Sequence, residues 1–160
     1  MSRQARRLFS VLLGATILAG IAASHAQTPP PTPKPFSFGD LMNTLVQPRH
    51  VKLALAGQEQ NWTLAAYAHH QLKDALANVA ISRPRFRNQS VPELMDAMTG
   101  GPLQALDQGI KASNATAFNE AFDRLTQGCN ACHAALGHEF VVIQTPDASV
   151  FPNQNFRVRP

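Results

Sequence analysis

Cys129-Asn130-Ala131-Cys132-His133 is the run whose residue types and spacing can do chemistry. On a helix, cysteines three positions apart share one face, about one turn from each other. Two thiols so placed can add to the two vinyl groups of one haem. The histidine directly after the second cysteine can then stand under the iron as an axial ligand. C-x-x-C-H is the spacing of c-type haem attachment, and these are the only two cysteines in the chain. Two rival uses fit the run less well. A redox disulfide calls for a βαβ context, which the pattern lacks. A zinc site calls for a second Cys or His pair at short spacing, and only His138 lies near.

The other end of the chain supports the haem reading. Arg3, Arg6 and Arg7 precede an apolar run from Leu8 to Ala23, and Ser24-His25-Ala26 is a small-x-small cleavage site. We expect an export signal over 1–26, cleaved after Ala26, and a periplasmic mature protein. The apolar run falls short of the ~20 residues a spanning helix needs, so no integral span is expected after cleavage. Covalent haem attachment takes place outside the cytoplasmic membrane, which ties the two termini to one reading. Three of the 14 Lys and Arg residues belong to this signal, leaving 11 against 10 Asp and Glu. The basic balance is therefore a targeting signature, and nucleic acid is not an expected partner.

The elements that must position the motif read as helices. Residues 27–35 are Pro- and Thr-rich and predict an extended tether. Ser37 is a candidate N-cap for a first helix carrying Phe38, Leu41, Met42, Leu45 and Val46 on one face. Pro48 should kink or restart it, and Gly57 should end it. Asn61 caps a second helix, Trp62 to about Ile81. Arg83, Arg85 and Arg87 fall in a basic loop. Ser90-Val91-Pro92-Glu93 reads as a capping box opening a third helix, interrupted at Gly100-Gly101-Pro102. Asn114 opens a fourth, which carries Phe118, Phe122, Leu125 and the C-x-x-C-H run and stops at Gly137. The expectation is an all-α, up-down four-helix bundle over 36–140, with an extended tail over 141–160.

Placement of C-x-x-C-H on the last helix resembles the cytochrome c′ family and its low-spin relatives, across Phe36 to about Gly137. The resemblance implies electron transfer or small-gas binding by one covalent haem c, held by Cys129 and Cys132 with His133 on the iron. The tail departs from the family pattern. In that family the sixth ligand comes from helix 1 or is absent. His133 should lie about one turn from the end of helix 4, and one turn into an antiparallel helix 1 lies Met42. A thioether is a normal haem ligand. An apolar Leu41 or Leu45 facing the iron would leave it five-coordinate. His50 is the alternative ligand, two turns further on, about 12 Å by helix rise.

Other residues receive smaller roles. At most one of His69 and His70 can point inward, as a structural residue. Arg124 could reach a haem propionate, or form a surface ion pair. The three loop arginines could dock an acidic redox partner protein. Val141, Val142, Ile143, Val150, Phe151 and Phe156 make the tail too apolar for a free terminus. It should fold back and shield the haem edge; a docking strand is the alternative. The expected role is an exported monohaem electron carrier. The alternatives are a five-coordinate gas-binding haem protein and the haem subunit of a larger oxidoreductase. Nothing in the sequence supplies an acid, base or substrate pocket, so an enzyme is not expected. Monomer and homodimer both stay open.

Overall fold

The computed structural model describes residues 34–158. The expected export signal and residues 27–33 of the expected tether lie outside the described residues. The described chain is mainly helical, with four helices and one short hairpin.

Helix α1 runs without a break through Phe38–Leu41, a π-helical stretch Met42–Val46, and Gln47–Gln58. Ser37 caps it as expected. Its Oγ accepts the Asp40 N–H at 3.1 Å, and the Asp40 carboxylate accepts the Ser37 N–H at 2.8 Å. Helix α2 spans Trp62–Ser82, with the Asn61 side chain accepting the Leu64 N–H at 3.2 Å. Helix α3 runs through Val91–Met95, a π-helical stretch Asp96–Gly100, and Gly101–Lys111. Helix α4 spans Ala115–Ala135, capped by the Asn114 side chain on the Ala117 N–H at 3.0 Å.

The kink or restart expected at Pro48 and the interruption expected at Gly100-Gly101-Pro102 both take the form of π turns within continuous helices. Pro48 and Pro102 each follow directly on a π-helical stretch, in the first turn of the α-helical segment after it. Proline has no N–H for the carbonyl four residues back, and its ring crowds that carbonyl. A wider π turn relieves the crowding and carries the helix through. A correction concerns Ser90, which makes no side-chain cap. The basic loop closes instead as an antiparallel hairpin, β1 Arg85–Phe86 with β2 Gln89–Ser90, and Ser90 pairs with Arg85. The start of α3 is held by backbone, the Val91 N–H donating to the Pro84 carbonyl at 3.0 Å.

Helix α1 packs along α2, α2 along α3, α3 along α4, and α4 returns to α1. The shared core includes Leu53, Leu72, Val79, Leu106, Phe118 and Phe122, all essentially without solvent contact. Gly57 matters to this packing, because a Cβ there would stand 1.9 Å from the Phe118 ring. Helix α4 ends in a Schellman turn. The His138 N–H reaches the His133 carbonyl at 2.8 Å, the Gly137 N–H reaches the Ala134 carbonyl at 3.0 Å, and Gly137 sits at φ +70°.

That turn sends the tail back along the helices. Gln58 donates to the Pro146 carbonyl at 2.8 Å, and the Thr145 hydroxyl donates to Asp123 at 3.2 Å. At the far end the Asn61 amide donates to the Phe156 carbonyl at 3.1 Å. Phe156 is buried, and Phe151 lies under the Lys52 ammonium at 4.7 Å. Val150 and Val142 are 70% and 73% exposed, so neither is the apolar peg that composition suggested. Side-chain hydrogen bonds, rather than uniform burial, hold this segment. Among the described residues no helix is long and apolar enough to cross a membrane.

Candidate functional site

The C-terminal end of α4 and the N-terminal half of α1 enclose an apolar cleft of about 170 Å³, partly open to solvent. Cys129, Cys132 and His133 line it from α4, Met42 and His50 from α1, and Met95 and Thr99 from α3.

The face that α1 turns to the cleft carries Phe38, Met42, Val46 and His50, spaced by four, with Asn43 and Gln47 beside them. An α-helix turns about 100° per residue, so steps of four drift by about 40° each. The π turn at Met42–Val46 takes more residues per turn and corrects that drift. Pro48 thus helps bring Met42 and His50 to one wall.

The two thiols are free and form no disulfide. Burial, with the neighbouring Cys132 adding to it, pushes the Cys129 thiol up to about 11, and burial raises Cys132 as well. Both are therefore neutral at ordinary pH. A redox-active pair needs the opposite, a lowered value. The zinc reading also loses its fourth residue. His138 is not among the residues lining the cleft of the cysteines, and its ring packs between Phe86 and Phe140. Among the described residues no three His, Cys, Asp or Glu side chains group as a metal site.

The imidazoles can be assigned from their partners. His133 Nδ1 lies 2.7 Å from the Val141 carbonyl. A carbonyl only accepts, so Nδ1 carries the proton and Nε2 keeps a free lone pair. In His50, Nε2 lies 3.0 Å from the Thr126 hydroxyl, which itself donates to the Phe122 carbonyl at 3.0 Å. The hydroxyl proton is thus committed, and His50 Nε2 must be the donor. The His50 ring stacks on Phe122 at 4.6 Å, and burial pushes its pKa down to about 4.

Arg124 does not reach the cleft. It is exposed and faces a separate groove with Gln108, Asn114 and Glu120. His69 is buried and donates to the Leu103 carbonyl at 2.9 Å, while His70 faces Asp74 on the surface at 3.4 Å. Of the loop arginines, Arg83 is partly buried and donates to the Phe36 carbonyl, while Arg85 and Arg87 are exposed. The hairpin adjoins the cleft through Phe86, whose ring stands 5.2 Å from that of Phe38.

Several site residues escaped sequence reasoning. Met95 adds a second thioether to the cleft, but nothing in its spacing separates it from a core methionine. Asn130, between the two cysteines, bonds twice to the tail: its amide donates to the Ile143 carbonyl at 2.8 Å, and its oxygen accepts the Ile143 N–H at 2.7 Å. Gly128, just before Cys129, touches α3 so closely that a Cβ would stand 2.1 Å from the Met98 carbonyl oxygen. Pro102 has no N–H for that same carbonyl, four residues back. No protein family, curated protein or solved structure matches the chain.

Proposed function

We propose that this chain is an exported monohaem c-type cytochrome built on an up-down four-helix bundle, carrying single electrons between partner proteins in the periplasm. One observation carries the reading. All three chemical side chains of the C-x-x-C-H run line a single apolar cleft, with neutral thiols and an imidazole whose Nε2 is free.

The donor set fits a covalently held haem. Cys129 and Cys132 would form the thioether links, and His133 Nε2 would take one axial position. When bound, the haem supplies reversible one-electron Fe(III)/Fe(II) chemistry, the electron arriving from one partner protein and leaving to another. Phe38, Val46 and Leu76 keep the cleft wall apolar. The titratable side chains lining the cleft are His50, His133 and the two cysteines. This set has no acid–base pair suited to bond-making, which supports a carrier rather than an enzyme.

Met42 is the proposed sixth ligand. It lines the cleft and is half-buried. His50 is poorly prepared for that role, since its Nε2–H is engaged with Thr126. A second reading, five-coordinate iron open to small gases, is favoured by the apolar Phe38 and Val46 flanking Met42. Arg85 and Arg87, exposed beside the cleft, suit an acidic partner surface. Expression in the presence of cytochrome maturation machinery tests the main reading. Mass spectrometry should give the chain from Gln27 plus one haem, and the reduced spectrum should be low-spin. Free thiols in that product would overturn it, and a high-spin spectrum would favour the gas-binding alternative.

A further inference from the structure

We infer that Val141–Ile143 is a strap on the proximal side of the haem site, and that Asn130 is the positioning residue that holds it against His133. The inference deepens the haem reading and rests on it.

Three local facts converge. The Schellman turn at Gly137 reverses the chain directly after α4. The reversal is tightened by the Val141 N–H, which donates to the His138 carbonyl at 2.9 Å. The Val141 carbonyl then accepts the His133 Nδ1–H at 2.7 Å. Two residues on, Ile143 is clamped through both its N–H and its carbonyl by the Asn130 amide. Asn130 belongs to the motif only as an intervening residue, and haem attachment places no demand on its side chain. Its commitment to Ile143 therefore serves the strap. Because Asn130 and His133 sit three apart on α4, the clamp and the histidine contact lie on neighbouring positions of one helix face.

The strap has a chemical consequence. A carbonyl accepting the far N–H of a ligating histidine fixes its tautomer and orientation and makes the ring a stronger donor. A stronger donor favours Fe(III) and lowers the potential. Exclusion of water would act in the opposite sense. Val141 and Val142 border the cleft, and the strap's direct contact with the ligand is the His133 hydrogen bond. That bond acts on the ligand's own ring, and the strap holds the potential down. This reverses the sign expected from shielding alone.

The experiment uses the haem-loaded protein and two variants, Asn130→Ala and Ile143→Pro. The second leaves the C-x-x-C-H run intact, and an extended strap accepts proline. Mass spectrometry of the wild type comes first, since absence of haem there overturns the haem reading itself. In Asn130→Ala the Ile143 amide should exchange with solvent about 30-fold faster, the loss of two hydrogen bonds of ordinary strength. In a Met42→Ala background, where the reduced iron is five-coordinate, both changes should lower the Fe–histidine stretching frequency by resonance Raman, and in the Met42 protein both should raise the potential. Faster amide exchange with wild-type stretching frequency and potential would overturn the inference and reduce the strap to packing. A lowered potential would overturn it in favour of shielding.

Discussion

Lowering the pH should charge His50 and weaken the fold by an amount the structure sets. Its ring is 4% exposed and lies against Phe122, with no carboxylate hydrogen-bonded to it. Burial lowers its pKa from 6.5 to about 4. The unfolded chain thus takes up a proton near pH 6.5, whereas the native chain resists until about pH 4. Stability from holding the ring neutral is complete above the unfolded value and drains away as pH falls from 6.5 to about 4. At about 1.4 kcal/mol per pKa unit, the loss is about 3 kcal/mol, a large share of a typical domain's stability. Urea unfolding of the haem-loaded protein, from about pH 8 down to pH 4, measures it. His50→Gln keeps a donor for Thr126 but cannot be charged. Acid effects common to the two proteins cancel in the difference between their curves. That difference should shrink by about 3 kcal/mol in favour of the variant across the window. Parallel curves would refute the reasoning and show that His50 is solvated or paired when charged.

Met42→Ala should convert a low-spin spectrum to high-spin, lower the potential and admit CO, with Met95→Ala and His50→Ala as controls. A spectrum unchanged in Met42→Ala but altered in a control would move the sixth ligand to that residue. Gly128→Ala should cost about 2–3 kcal/mol, because the new Cβ would lie 2.1 Å from a backbone oxygen of α3 and neither helix can yield locally. A wild-type urea midpoint would show that the two helices can separate freely there. Neutralising Arg83, Arg85 and Arg87 together should slow electron transfer with an acidic partner, and the wild-type rate should fall with salt; equal rates at low salt would reduce the hairpin to a structural role.

Local chemistry was legible in the sequence wherever a residue acts on its own neighbours. Ser37, Asn61 and Asn114 cap the helices they were expected to cap, and Gly137 takes the left-handed conformation that ends α4. The spacing of Cys129, Cys132 and His133 placed all three on one side of a helix, and the cleft receives all three. Ser90 failed because its strand pairing, a contact with Arg85 across the turn, outranked its capping preference. What only the tertiary structure decided depends on groups distant in sequence. Pro48 announced a disturbance of the first helix, but which side chains of that helix meet the cysteines of α4 was decided by packing. The tautomer of His50 was settled by Thr126, 76 residues away, and that of His133 by a backbone carbonyl on the returning tail. Arg124 went astray for the same reason: its place on α4 was readable, but which neighbour that face meets was not. A side chain's type states which partners it can take. Its actual partner is chosen by helix packing and chain reversal, which sum many weak contacts that no single position records.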